Sequence, residues 1–349
     1  MEGITKHSFT CDYSEGAHPN ILKRLAEVNL TQHPGYGEDA ITREAIDIIR
    51  QKTGNPQAAV YFVIGGTQAN MTVISSLLRP HECVICVDGG HIWSHETGAI
   101  EATGHRVIQA GGKDGKLRPE DIVRALDLYT MRPHVLKPAM VYVSDSTEIG
   151  TIYTKSELEA LHTFCQEHKL LLYLDGARLG SALTAQGNDL TLHDLTELTD
   201  VFYIGGTKNG ALMGEAIIFN DPTLCPDFDY MRKERGALLA KGWLLGVQFS
   251  ELLRDDLYFQ LAKHANHQAD RLRQALNEGG YSMLVATPTN QIFPILSDRQ
   301  IEELHKKYVF EMWERVDDSH AAVRFCTSWA TTEESVTEFA ADILKCKNL

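Results

Sequence analysis

The sequence of 349 residues contains no long apolar run, no low-complexity segment and no internal repeat. Its longest apolar stretches, such as Leu170–Leu174, are far shorter than the roughly 20 residues that span a bilayer. The N-terminus lacks the apolar core of a secretory signal. With 43% apolar and 23% charged residues, the composition also argues against a disordered chain. We therefore expect a cytoplasmic, globular protein without a membrane partner.

Positive charge is scarce, since 33 Lys and Arg stand against 47 Asp and Glu, a net charge of −14. Proteins that bind phosphate backbones usually show the opposite balance, so we expect no nucleic-acid partner. One small anionic ligand remains compatible with this balance, because a few backbone amides and one Lys can outweigh the field of the whole protein.

The seven cysteines are scattered and odd in number, which is typical of reduced thiols. Cys83 and Cys86 form a C-x-x-C, but within a strand-like run that would point them to opposite faces. Because no second pair completes a zinc site, we expect no metal there.

Short apolar runs alternate with amphipathic ones up to about residue 220, which predicts an α/β fold with a mainly parallel, doubly wound sheet. The predicted strands are 58–63, 83–87, 105–109, 139–143, 170–174, 201–204 and 215–219. The predicted helices between them are 67–78, capped by Thr67, then 94–102, 119–128 and 155–167.

After residue 240 the pattern predicts a smaller α+β domain. It contains one long helix over 243–276, strands over 282–286, 291–295 and 322–326, and helices over 301–307 and 333–345. We expect an N-terminal arm and large domain over residues 1–240, and a small C-terminal domain over residues 241–349. In such sheets, ligands bind at the carboxyl ends of the strands.

Three of the strand ends together suggest a cofactor. Gly66 and Thr67 at a strand-to-helix turn could hold a phosphate, although a simple tight turn explains them equally well. Asp175 follows a buried strand and could be a structural partner of Arg178. Lys208 lies in a constrained Gly-Thr-Lys-Asn-Gly turn, although most lysines are solvated surface charges. A Schiff-base lysine and a carboxylate facing a pyridine nitrogen are what pyridoxal phosphate requires.

A fourth strand end carries His91 and His95. Their i, i+4 spacing beside Glu96 could serve a metal ion, but no third ligand stands at a supporting spacing. Ordinary packing is the other plain interpretation. Together with the other three strand ends, the segment favours His91 as a ring stacked on a flat cofactor.

The set of motifs resembles the threonine aldolase and β-eliminating lyase family, in particular bacterial low-specificity L-threonine aldolases. The resemblance covers nearly the whole chain and is carried by Thr10–Tyr13, His33–Asp39, Gly66–Asn70, His91, Asp175–Arg178, Gly205–Gly210 and Arg324–Trp329. It implies the aspartate-aminotransferase fold, pyridoxal 5'-phosphate as cofactor, and a homodimer or homotetramer with its sites at the dimer interface.

The resemblance also implies roles for individual residues. Lys208 holds the cofactor as a Schiff base, Asp175 pairs with the pyridine nitrogen, and His91 stacks on the ring. The other implied ligands are Gly66, Thr67, Arg178 and Lys241 for the cofactor, with Lys241 reaching the phosphate from the neighbouring subunit, and Cys11, Tyr36, Arg178 and Arg324 for the substrate.

One departure from the family concerns the group near the substrate hydroxyl, where many members have a second His. Glu148 occupies that position here and could act as base or as a hydrogen-bond partner. The implied reaction is cleavage of L-threonine, L-allo-threonine or related β-hydroxy-α-amino acids to glycine and an aldehyde. Alternatives are a β-eliminating lyase or aminotransferase on the same fold, a catalytically silent homologue, and a nucleotide-binding oxidoreductase, whose fingerprint is missing.

Overall fold

The computed structural model describes residues 7–112, 114–347 and 349. The expectation that no signal sequence is present concerns a segment that lies mostly outside these residues. The strands are β1 (His7–Ser8), β2 (Ala59–Val63), β3 (Glu82–Val87), β4 (Arg106–Ala110), β5 (Lys137–Ser144), β6 (Leu171–Asp175), β7 (Val201–Gly205), β8 (Glu215–Phe219), β9 (Met283–Val285), β10 (Gln291–Ser297), β11 (Tyr308–Val309), β12 (Glu311–Arg315) and β13 (His320–Cys326).

The helices between and around these strands range from one turn to more than six turns. They are α1 (Pro19–Val28), α2 (Ala40–Thr53), α3 (Gly66–Leu77), α4 (His91–Ser94), α5 (Pro119–Asp127), α6 (Lys155–His168), α7 (Leu179–Leu183), α8 (Leu192–Leu198), α9 (Phe228–Glu234), α10 (Trp243–Arg254), α11 (Leu257–Gly279), α12 (Asp298–His305) and α13 (Glu333–Cys346), with a short 3₁₀ helix at Glu101–Thr103.

The large sheet has seven strands in the order β2-β8-β7-β6-β5-β3-β4. Strands β3 to β7 pair in parallel, and β8 runs antiparallel to both β2 and β7. The carboxyl ends of the parallel strands therefore meet at one edge, where the reversed β8 begins. The predicted α/β class and mainly parallel sheet are confirmed.

Both faces of this sheet are covered by apolar side chains. One face packs against α2, α5, α6, α8 and α10, and the other against α3, α4 and α9. Cys83 belongs to the first core and Cys86 to the second, so their side chains point to opposite faces as predicted. All seven cysteines are free thiols.

A smaller antiparallel sheet, in the order β12-β13-β10-β9, packs with α11, α12 and α13 around a separate apolar core. Strand β1 of the N-terminal arm pairs with β11 in this region, and Cys326 donates its N–H to the carbonyl of Phe9. The arm thus lies against the smaller sheet. The predicted boundary between residues 240 and 241 stays a prediction.

Two predicted helices are wrong in extent. The segment 94–102 is not one helix, because Thr97 and Gly98 adopt left-handed backbone angles between α4 and the 3₁₀ turn. The long helix over 243–276 is broken at Asp256, whose φ is +57°. The break lets α10 pack against α2 while α11 turns toward α7 and α13.

No helix among the described residues is both long and apolar enough to cross a membrane.

Candidate active site

A cavity of about 370 Å³ opens at the carboxyl edge of the large sheet. Most of its lining comes from the carboxyl ends of five strands and from the loops that follow them, and the start of β8 and the N-terminal arm complete it. The residues that line it are Tyr13, Gly65, Gly66, Thr67, His91, His95, Ser144, Ser146, Glu148, Asp175, Ala177, Arg178, Tyr203, Thr207, Lys208 and Glu215. Four predicted strand ends, which carry Gly66, His91, Asp175 and Lys208, are therefore brought together.

Asp175 ends β6 and is 4% exposed. Its carboxylate accepts hydrogen bonds from the hydroxyls of Tyr142 and Tyr203 at 2.5 Å each. It also accepts from the amide of Asn70 at 3.1 Å and from the backbone N–H of Ala177 at 2.9 Å. Four donors thus hold this carboxylate in one orientation at the floor of the cavity.

These surroundings decide the charge of Asp175. Burial on its own would raise the pKa of the carboxyl, but the nearby His91 and the hydroxyls of Tyr142 and Tyr203 outweigh burial and lower the pKa. Asp175 is therefore a buried anion, suited to face a cationic group of a ligand.

Lys208 follows β7 in the loop that leads to β8. Glu215, at the start of β8, holds this loop: its carboxylate accepts the N–H of Gly206 at 3.0 Å and the hydroxyl of Thr207 at 2.8 Å. The Lys208 ammonium lies 5.9 Å from the ring centre of Tyr13. Burial and the neighbouring Arg178 guanidinium lower the pKa of Lys208. A larger share of this amine is neutral and nucleophilic than for a solvated lysine.

Helix α3 begins at the cavity without a side-chain cap. The helix starts at Gly66, and its cap residue is Gly65, so the prediction that Thr67 caps the helix is wrong. A glycine cap leaves the first N–H groups of the helix without an acceptor from the cap side chain. Since Gly65, Gly66 and Thr67 all line the cavity, this end of the helix suits an anion such as a phosphate.

Glu148 is anchored next to His91. Its Oε1 accepts the backbone N–H of His91 at 2.9 Å and the hydroxyl of Ser144 at 2.8 Å. Burial raises the pKa of Glu148 in spite of these donors. The carboxyl thus titrates closer to neutral pH than a solvated Glu, as a general base requires.

Arg178 lines the cavity but is already paired. Its Nε and Nη2 donate to the two oxygens of Asp12 at 2.7 and 3.1 Å, and Asn290 supports Asp12 at 2.9 Å. Asp12 is 1% exposed, and burial, which would raise its pKa, is outweighed by Arg178 and Lys208, which hold that pKa at about 2. The pair fixes the guanidinium against the N-terminal arm.

Arg324 does not line the cavity, although it lies near enough to Tyr13 and His95 to influence their pKa values. Its guanidinium donates to the carbonyl of Thr10 at 3.1 Å and pairs with Glu311. Among the described residues, its Nε has no partner although it is buried.

Three further predicted residues lie outside the cavity of this single chain. Cys11 is half-buried with its sulfur 3.1 Å from the hydroxyl of Ser14. Tyr36 is 48% exposed, and its N–H donates to the carbonyl of Ala240, directly before Lys241. Tyr36 and Lys241 are therefore near each other on the surface, both exposed, and neither lines the cavity of its own chain.

Several residues in and around the cavity were not predicted, although three buried tyrosines follow a pattern that is visible in the sequence. Tyr142, Tyr173 and Tyr203 each stand two residues before the end of β5, β6 or β7 and lie in the same core. A buried phenol needs a hydrogen-bond partner, so this repeated spacing indicates a polar centre between the strands. Of these three tyrosines, Tyr203 lines the cavity, and Tyr142 and Tyr173 lie behind the lining residues. Further lining residues that were not predicted as site residues, and that show no comparable spacing, include Tyr13, His95, Ser144, Ser146, Thr207 and Glu215.

The two histidines considered as metal ligands stack instead, with ring centres 5.6 Å apart. Across the described part of the chain, no group of three or more His, Cys, Asp or Glu side chains is arranged to hold a metal ion.

Comparisons with known proteins agree with this geometry. The model of the β-eliminating lyase family matches residues 10–334. A low-specificity L-threonine aldolase of Pseudomonas aeruginosa is 34% identical over 349 aligned residues, 97% of this chain and 98% of that protein. A solved structure of Leishmania major threonine aldolase is 46% identical, with a TM-score of 0.96 over 98% of this chain and 99% of that one.

A Thermus thermophilus aspartate aminotransferase double mutant is 15% identical and covers 99% of this chain and 92% of its own, with a TM-score of 0.72. At that identity the likeness concerns the fold alone, and it agrees with the predicted aspartate-aminotransferase-like architecture.

Proposed function

The chain belongs to the β-eliminating lyase family and is a lyase, and on this premise we propose that it cleaves L-threonine, L-allo-threonine or related β-hydroxy-α-amino acids to glycine and an aldehyde. One observation carries the proposal. A buried carboxylate, Asp175, and a lysine of lowered pKa, Lys208, face one cavity beside the uncapped start of α3.

Pyridoxal 5'-phosphate fits these residues. Lys208 would hold its aldehyde group, Asp175 its ring nitrogen, and Gly66 and Thr67 its phosphate, while the ring of His91 would lie against its face. When bound, this cofactor withdraws the electron pair of the bond that breaks. Asp175 serves that chemistry by remaining an anion that keeps a proton on the ring nitrogen.

The other residues of the cavity would orient the substrate and move one proton. Arg178, which lines the cavity and is fixed by Asp12, would attract the substrate carboxylate. Arg324 and the arm around Cys11, which do not line the cavity of this single chain, would support it, so that the Cα–Cβ bond is held in one direction. Glu148 would take the proton of the β-hydroxyl, because it lines the cavity and its raised pKa suits a base near neutral pH.

We further propose a cytoplasmic homodimer or homotetramer, with a large domain up to about residue 240 and a small one after it. Tyr36 and Lys241 are both exposed and near each other, which is consistent with their serving the cavity of a neighbouring subunit. A mixture of Lys208→Ala and Lys241→Ala subunits tests this sharing. Re-associated hybrids should regain activity that neither variant has, and a mixture as inactive as its parts would contradict it.

The activity itself is tested with the purified protein supplied with pyridoxal phosphate and incubated with L-threonine, L-allo-threonine and phenylserine. We expect glycine and aldehyde in equal amounts, and a yellow protein that loses its colour on borohydride treatment. Lys208→Ala should abolish both properties, whereas Lys306→Ala, which removes an exposed lysine paired with Glu303, should keep them. Ammonia and a keto acid without glycine would indicate β-elimination, and a colourless protein would overturn the proposal.

A further inference from the structure

Asn70 and Glu96 lie buried between Asp175 and His91, and we propose that they form a hydrogen-bonded relay in which Glu96 is the positioning residue of His91. The relay would link the group that faces the cofactor nitrogen to the ring that covers the cofactor. The inference deepens the proposed function and rests on it for the location of the cofactor, but not for the contacts.

The contacts form an unbroken chain. Asn70 Nδ2 donates to Asp175 Oδ2 at 3.1 Å and to Glu96 Oε1 at 2.7 Å. Glu96 Oε1 lies 2.8 Å from His91 Nδ1. Tyr173 donates its hydroxyl to Asn70 Oδ1 at 2.8 Å. Asn70 is fully buried and Glu96 is 5% exposed, so water does not compete at either residue.

The chemistry of the partners fixes the direction of these bonds. Asn70 faces two carboxyl groups on one side, and ionised carboxylates only accept hydrogen bonds, so its NH₂ group must point to them. Tyr173 then supplies the donor that the amide oxygen needs. Both amide hydrogens of Asn70 are used in these bonds, so no donor of this side chain remains for another partner.

At the far end of the relay, Glu96 decides which nitrogen of His91 meets the cavity. Because Nδ1 is held against Glu96, Nε2 is the ring nitrogen that remains for a bound ligand. A carboxylate at Nδ1 holds the imidazole in one orientation and makes it more basic, as in other carboxylate–histidine pairs. Glu96 Oε2 is buried and has no partner within the described residues, so Oε1 carries the whole interaction.

Several charges act on His91. Burial on its own would lower the pKa of His91, and Lys208 lowers it further, but the hydrogen bond with Glu96 and the charges of Asp175 and Glu96 raise it overall. The neighbouring His95 has the opposite balance, because burial and His91 lower its pKa. The pKa values of these two stacked histidines are thus shifted in opposite directions, that of His91 upward and that of His95 downward.

The test measures the titration of individual histidines by the hydrogen exchange of the imidazole Cε1 position, followed by mass spectrometry across pH. One tryptic peptide, residues 53–106, contains both His91 and His95, because trypsin does not cleave between Arg79 and Pro80, and its fragments separate the two histidines. In the wild-type protein, with and without pyridoxal phosphate, the midpoint of His91 should lie above that of His95. In Glu96→Gln, which keeps the size but removes the charge, the His91 midpoint should fall by about one pH unit or more.

The control is Glu101→Gln, which removes an exposed charge on the same segment, and it should leave the His91 midpoint in place. A wild-type His91 midpoint at or below that of His95 would overturn the relay without any variant. An unchanged midpoint in Glu96→Gln would also overturn it. Because the readout is the titration of a ring and not turnover, an inactive protein with the expected midpoints would refute the proposed function but not the relay.

Discussion

Asp175 and Asp145 lie at the carboxyl ends of two neighbouring strands of one sheet, and both are almost entirely buried. Asp175 ends β6, and Asp145 comes directly after β5 and donates its backbone N–H to the carbonyl of Asp175 at 2.9 Å. Their side chains nevertheless differ in charge. Asp175 has its pKa lowered, whereas burial raises the pKa of Asp145 to about 8.

The difference lies in the donors that each carboxyl meets. Asp175 has four donors and a nearby imidazole, whereas Asp145 has one backbone N–H, that of Tyr153, at 3.4 Å. Within the described residues, its Oδ2 has no partner. Burial alone therefore gives a neutral acid, and burial with several donors gives an anion. Only the anionic carboxylate, that of Asp175, can hold a protonated ring nitrogen.

Replacing the two aspartates by asparagine should give the largest contrast. Asp175→Asn removes the charge that, in the proposed function, would keep a proton on the cofactor ring, and we expect kcat to fall about 10²–10³-fold, the range for a lost electrostatic partner. Asp145→Asn resembles the neutral acid already present and should leave kcat unchanged. Steady-state kinetics with L-threonine at pH 7 measures both. Equal losses in the two variants would show that charge does not distinguish them.

Glu148 is intermediate between Asp175 and Asp145 in its number of hydrogen-bond donors, since it has two, and its pKa is raised. If it takes the β-hydroxyl proton as an anion, activity should fall as the pH drops below its pKa. Glu148→Gln should lower kcat/KM about 10²-fold and remove this acid limb. The pH profile of aldehyde release measures it. A variant with unchanged cleavage at every pH would exclude Glu148 as the base.

The hydroxyl of Tyr203 accounts for part of the contrast, because it is one of the donors that Asp145 lacks. Tyr203→Phe should raise the pKa of Asp175 and lower kcat/KM about tenfold, since a buried hydrogen bond to a charged group contributes about 1.5–3 kcal/mol. Tyr258→Phe removes a buried hydroxyl that accepts the N–H of Gly180 at 2.9 Å. This control should lower stability without moving the pH profile, and a shifted profile in the control would contradict the assignment.

The sequence predicts the sheet and the edge where the cavity opens, because buried strands and their polar ends form local patterns. Asp175 and Lys208 stand out for this reason. Asp145 does not, since nothing in its local sequence separates a carboxyl with four donors from one with a single weak donor. That distinction depends on Asn70 and on tyrosines of other strands, which only the folded sheet brings together.

The same reasoning explains the two helices whose extent was predicted wrongly, and it bears on two site residues that stay predictions. The helix break at Asp256 and the left-handed turn at Thr97 and Gly98 follow from tertiary packing, which overrides local helix patterns. Lys241 and Tyr36 lie outside the cavity of one chain, so their proposed role depends on a second subunit. Residues whose function depends on distant partners are those that local patterns place least well.

A further prediction concerns stability and not activity, and it comes from Asp145. Its pKa of about 8 lies above the ordinary value of 3.8, so the folded protein retains a proton that the unfolded chain has lost in this interval. The stability that the neutral acid provides is fully present below about pH 4 and is lost as the pH rises toward 8, at up to about 1.4 kcal/mol per pH unit. The side chain of Asp145→Asn cannot ionise. The free energy of unfolding of this variant, measured in urea, should therefore rise relative to that of the wild type as the pH increases from 5 to 8. Parallel curves for the two proteins would mean that Asp145 is ionised in the fold and that its surroundings resemble those of Asp175 after all.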